Sequence, residues 1–164
     1  MKKLAYLLIV FLLITFVGQA QSEYKSAIGG RVGVPIAGSI KHFITKAGAL
    51  EGYAGFLSRY GSNVNITIGG MYQHHFPIGD IPGFKWYVGG GALVQFFSYK
   101  NRNNNNYDDF SEVGFALNGV GGVDYKFKSI PLNVSADFMP AFFLNKTPDD
   151  FFAYGGLAAR YTFR

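Results

Sequence analysis

The chain has 164 residues, 15 Lys and Arg against 10 Asp and Glu, and no cysteine. Disulfides and thiolate metal sites are therefore excluded, and the charge excess is too small and scattered to argue for nucleic acid. Seventeen Phe, eleven Tyr and twenty-two Gly are the unusual numbers, because aromatic residues favour strands whereas strand glycines normally weaken them.

Residues 1–20 differ from the rest. Lys2 and Lys3 precede an unbroken apolar run from Leu4 to Val17, and Gly18-Gln19-Ala20 offers small residues at a cleavage site. A cleavable signal peptide is expected over 1–20, followed by one domain over 21–164. Removing Lys2 and Lys3 leaves 13 basic against 10 acidic residues, a formal charge of +3 on 144 residues. Lipid attachment at a lipobox is excluded, since no cysteine follows.

Alternation with a period of two then recurs eight times. Residues 26–36 set Ile28, Gly30, Val32 and Val34 against Ala27, Gly29, Arg31 and Gly33, and 35–38 read as a break. Residues 39–44 resume with Lys41 opposite Ile40 and Ile44. Residues 49–60 and 64–75 form a hairpin about a turn at 61–63, with Glu51 on the face opposite Leu50 and Phe56. A Pro/Gly/Asp link at 77–84 leads to 85–99. The segment 100–110 is a polar, asparagine-rich loop. Residues 112–127 are the longest strand, with Val113, Phe115, Leu117 and Val123 on one face and Asp124 on the other. Residues 132–144 and 151–163 complete the set, carrying Asp137 and Arg160 opposite their apolar faces. Pro140 predicts a bulge, since it cannot donate to a ladder.

An even number of sequential antiparallel strands predicts an up-and-down meander whose first and last strands close a barrel. A soluble barrel puts apolar side chains inside. Here the second face is mostly Gly, Ala, Ser and Asn, the kind of residue a narrow eight-stranded lumen requires. The expectation is therefore an all-β, eight-stranded antiparallel up-and-down transmembrane β-barrel preceded by a cleavable signal peptide. Short connections would face inward and the longer ones, including 100–112, outward. Outward aromatic residues sort into two bands: Tyr72, Trp86, Tyr125, Phe127, Tyr161 and Phe163 at one level, and Phe56, Phe96, Phe142 and Phe151 at the other.

The whole span resembles the small eight-stranded outer-membrane barrels typified by outer membrane protein X and by the transmembrane domain of outer membrane protein A. The alternation carries the resemblance together with the ending Leu157-x-Ala159-x-Tyr161-x-Phe163, which is similar to the C-terminal signal read by the barrel assembly machinery. That signal usually ends on the aromatic residue, whereas this chain adds Arg164. The resemblance implies the outer membrane of a Gram-negative bacterium, with membrane lipid and the assembly machinery as partners, a monomer, and no cofactor. A cell-wall anchoring role is not expected.

Arg31, Lys41, Glu51, Asp124, Asp137 and Arg160 all take inward parity, which predicts a charge network plugging the lumen. A static plug is favoured over a gate. His42, His74 and His75 all fall near one end, where they read as interfacial residues rather than a metal site or catalytic base. His74 and His75, being adjacent, point to opposite faces. Their placement disfavours the Ser/His/acid chemistry of lipid-modifying barrels, and no enzymatic activity is expected. The glycine runs 29–33 and 89–91 are strand glycines, since no strand-to-helix turn surrounds them. Arg102, Asn104, Tyr107, Asp108 and Asp109 form the candidate contact surface of the long loop, for a surface ligand the sequence does not name.

Overall fold

The computed structural model describes residues 24–59, 63–100, 109–145 and 151–163. The expected signal peptide and the loop positions Arg102, Asn104, Tyr107 and Asp108 lie outside them. The described residues form eight strands: β1 (Ser26–Val34), β2 (Ile36–Phe43), β3 (Gly48–Arg59), β4 (Asn63–Pro77), β5 (Phe84–Lys100), β6 (Asp109–Lys126), β7 (Leu132–Phe143) and β8 (Phe151–Phe163). Each pairs antiparallel with the next, and β8 returns to β1 along Ser26↔Phe163 to Val34↔Gly155, closing a barrel with no free edge.

The registers set the tilt. Starting at Arg31, the path of paired residues runs through Ala37, Gly55, Thr67, Gln95 and Gly114. Carried on at the constant offsets of β6–β7, β7–β8 and β8–β1, it regains the line of β1 ten residues beyond its start. Ten residues at about 3.3 Å against eight strands at about 4.8 Å give a tilt of about 40°. At that tilt about ten residues of each strand span about 25 Å. β5 and β6, at 17 and 18 residues, are the longest, whereas β1 and β2 have 9 and 8, so one wall rises well above the other.

Four local expectations are corrected. The break at 35–38 shrinks to Pro35, because a hairpin tip needs no donor from that residue. Gly33 sits at φ +135° beside it, and Val34 turns to pack against the interior rather than outward. Pro140 makes no bulge. The β6–β7 pairing lapses between Asn118↔Ala141 and Gly121↔Phe138 and resumes at the same offset, so the missing donor costs ladder bonds without inserting a residue. Asp109, assigned to the loop, begins β6 opposite Lys100, since the β5–β6 ladder runs on past the last apolar side chains.

Candidate functional site

Strand alternation and closure together decide what meets inside. Every second residue of eight tilted strands points into one narrow lumen, so side chains far apart in sequence become neighbours. Arg31, Lys41, Glu51, Asp124, Asp137 and Arg160 all point inward, and the structure joins them into one network centred on Glu51. Arg31 contacts Glu51 at 3.1 Å and Asp137 at 2.5 Å. Lys41 lies 3.2 Å from Asp124 and 3.7 Å from the second Glu51 oxygen. Arg160 donates to Glu51, to Ser39 at 2.9 Å and to Ser135 at 2.8 Å. Three cations face three carboxylates, and the side chains of Lys41, Glu51 and Arg160 have no exposed surface.

Sequence reasoning missed the neutral members. Gln73 donates to Glu51 at 2.8 Å, Tyr87 to Asp137 at 2.9 Å and Asn133 to Asp124 at 2.9 Å. The Lys41 ammonium also sits 4.8 Å from the Tyr87 ring centroid. Their inward parity was readable. Which of them reaches which charge depends on the register across non-adjacent strands, which the sequence does not show.

The lumen is also less uniformly small and polar than expected. On the loop side of the network, Tyr53, Met71, Leu93, Val120, Met139 and Tyr154 form a buried apolar layer. Large rings fit because glycines lie beside them: a Cβ on Gly69 would run into Tyr53, and one on Gly122 into Tyr87. On the terminal side, where Tyr24 and Phe163 lie, Tyr24, Ala27, Phe43 and Ala49 form a second apolar cluster. Tyr24 packs edge-on against Phe43 at 5.1 Å. The charges are thus enclosed between two water-poor layers, where each pair is screened little.

His75 departs from the interfacial role expected of it. It is fully buried in the lumen, its ring 4.9 Å from both Phe43 and Tyr87. His74 bonds Tyr72 at 3.0 Å and His42 bonds Ser26 at 2.8 Å on the outer surface. Among the described residues no three potential metal ligands gather.

The exterior is the inverse of the lumen. Val32 and Leu157 are each 61% exposed, Phe138 57% and Leu117 55%. Tyr72, Trp86, Tyr161 and Phe163 are exposed toward the terminal end, with Tyr125 and Phe127 half-buried against each other. Phe56, Phe96, Phe142 and Phe151 ring the loop end. Leu157, Ala159, Tyr161 and Phe163 share the outward face of β8.

A closed eight-stranded meander that keeps charge inside and apolar side chains outside leaves one architecture. The fold is that of the small outer-membrane β-barrels. The N-terminal β-barrel domain of Pseudomonas aeruginosa OprF superposes with a TM-score of 0.68 at 19% identity, covering 88% of this chain and all of that domain. Neisserial surface protein A superposes with a TM-score of 0.58 at 13% identity, covering 84% of this chain and 93% of that one. No protein-family model matches the sequence, and no curated protein matches it significantly. At these identities the outer-membrane-barrel likeness is one of fold.

Proposed function

We propose that the chain is an integral outer-membrane barrel of structural or surface-interaction type, without enzymatic activity, whose lumen is closed by the Glu51-centred network and the apolar layers on either side of it. One observation carries the reading: large apolar side chains such as Val32, Leu157 and Phe138 are more than half exposed, while Lys41, Glu51 and Arg160 are buried. In water that arrangement is unfavourable on both counts, since it wets a continuous apolar belt and buries six charges. In a bilayer the belt is solvated by acyl chains and the tilted strands span the hydrocarbon layer. The two aromatic bands then lie at the headgroup levels.

On this reading residues 1–20 direct export across the inner membrane, and the β8 face of Leu157, Ala159, Tyr161 and Phe163 is offered to the assembly machinery. The loop at 101–108, on the tallest hairpin, would make any surface contacts. Membrane fractionation with a heat-modifiable gel shift tests the placement. The expected result is a band in the outer-membrane fraction that migrates differently before and after boiling. A soluble periplasmic band with unchanged mobility overturns it. Planar-bilayer recording tests the closed lumen, where silence is expected and a steady conductance would refute the plug.

A further inference from the structure

The terminal end of the lumen is closed by a run of stacked rings, one of which can take a proton. Tyr24 packs edge-on against Phe43 at 5.1 Å, Phe43 lies 4.9 Å from His75, and His75 lies 4.9 Å from Tyr87. Tyr24 stands at the mouth and precedes β1. Its neighbour Lys25 carries the outer bonds of that corner, its N–H donating to Phe163 at 3.2 Å and its carbonyl accepting from Phe43 at 2.8 Å. Tyr24 is nevertheless 4% exposed, and its hydroxyl has no hydrogen-bond partner among the described residues. Ring packing is therefore what holds this side chain in.

His75 has no exposed surface, and neither of its ring nitrogens has a hydrogen-bond partner among the described residues. The charges around it are mostly of one sign. The Lys41 ammonium, from β2, sits 4.8 Å from the Tyr87 ring centroid, and that of Lys85, from β5, sits 5.7 Å from the Phe43 ring centroid. Both rings that hold His75 thus also carry a cation. Asp124 faces the site from β6, but Lys41 at 3.2 Å and Asn133 at 2.9 Å already engage it. Glu51, on β3, lies beyond Gln73 and is committed to Arg31, Arg160 and Lys41. Tyr24 and Tyr87 are uncharged at neutral pH. An imidazolium in the closed lumen would set three cations around one shared carboxylate, where charges are screened little.

We propose that Tyr24 is a lid over the terminal end of the lumen and that His75 is its acid-sensitive latch. At neutral pH the uncharged imidazole completes the run of rings and the lid stays shut. In the open form water reaches His75, screens the two lysines and lets the imidazole titrate near its ordinary value of about 6.5. Protons therefore bind the open form in preference to the closed one, and acid shifts the population toward it. The Glu51 network and the apolar layer of Met71 and Met139 lie further in, so the opening is confined to the mouth.

The chain has no cysteine, so a single introduced thiol reports the opening. Ala27→Cys places one in the buried Tyr24 cluster, and Lys128→Cys places a reference thiol on the exposed β6–β7 turn. The full mature chain is refolded in detergent micelles and labelled with a charged thiosulfonate at about pH 7.5 and about pH 5.5, a window above the ordinary carboxylate range. The expected result is a rise of about tenfold in the Ala27→Cys rate, relative to Lys128→Cys, on acidification. That is the shift a group titrating at about 6.5 produces when only the open form takes the proton. His75→Phe and His75→Gln should each abolish the rise, while His42→Gln with His74→Gln should retain it. Tyr24→Ala should label fast at both pH values. No rise in the parent, an equal rise in either His75 variant, or loss of the rise in the His42 and His74 double variant overturns the latch. Slow labelling in Tyr24→Ala overturns the lid. Met71→Cys, beyond the network, should stay protected throughout; a parallel rise there, or loss of the heat-modifiable shift in acid, would mean that the whole barrel loosens and would overturn a local lid. The micelle assay does not depend on the membrane placement, so either can fail without the other.

Discussion

Replacing Glu51 with glutamine removes one charge from a network in which three cations face three carboxylates. The loss falls unequally. Arg31 keeps Asp137 and Lys41 keeps Asp124. Arg160 keeps only the Ser39 and Ser135 hydroxyls, so a guanidinium with no exposed surface is left without a carboxylate. Breaking a buried pair from one side costs about 3–5 kcal/mol, because the orphaned charge stays desolvated. With an unfolding slope of about 2 kcal/mol per molar urea, the midpoint should fall by about 2 M. Trp86, the single tryptophan, stands in the exposed aromatic band and reports unfolding from lipid by its emission. The double variant Glu51→Gln with Arg160→Met restores neutrality, leaving Arg31–Asp137 and Lys41–Asp124 as complete pairs. It should recover most of the midpoint, since apolar replacement of a whole buried pair is often neutral. A midpoint shift under about 0.5 M in the single variant, or no recovery in the double, would refute an enclosed network and imply a lumen wet enough to screen its charges.

Phe138 lies mid-strand on the outer face and Leu144 just beyond the end of β7. Phe138→Arg should cost about 2–4 kcal/mol and Leu144→Arg about 0–1, because the penalty for a cation on the lipid face falls toward the interface; equal costs in lipid-vesicle urea titrations would count against the placement of the belt. A Cβ on Gly91 would strike the backbone of Gly70 and Met71, whereas one on Gly38 meets nothing within 4 Å. Gly91→Ala should therefore prevent the heat-modifiable fold, while Gly38→Ala should be neutral or stabilising by about 0.4–1 kcal/mol. Met71→Ala together with Met139→Ala opens the apolar layer above the charges and should lower stability by about 2–5 kcal/mol per site. Planar-bilayer records of that variant should still be silent if the charge network suffices as the plug.

Much of the fold was legible because a period of two is hard to mistake over ten or more residues. β6 is the clearest case, with Val113, Phe115 and Leu117 exposed and Ala116, Asn118 and Val120 buried, as alternation requires. The six interior charges were legible for the same reason, parity alone placing Arg31 and Arg160 inside. What alternation could not supply was the pairing across the lumen. Gln73 reaching Glu51, or Tyr87 reaching Asp137, depends on the ten-residue stagger, a property of all eight strands together. Local exceptions were also hidden. Gly33 reverses the parity of Val34 at a tip only one residue long, and although His75 shares the inward parity of Gln73, its place between Phe43 and Tyr87 depends on pairings the sequence does not show. The apolar layer of Met71, Leu93 and Met139 was visible as inward parity. It was overshadowed by the small residues around it, which are there to make room for it.

The seam between β8 and β1 has a further consequence. It is hydrogen-bonded like the seven others, although the residues it joins, Ser26 and Phe163, stand at opposite ends of the barrel chain. In space the barrel is a ring with no first strand, and the order of the gene is one of several ways to cut it. A permuted chain, linked across that seam and opened at the turn between Pro77 and Phe84, would carry the same eight neighbours in the same registers. The same circularity makes completion collective. Until the ring shuts, two unpaired edges remain, and β8 can finish its pairing only where β1 already waits.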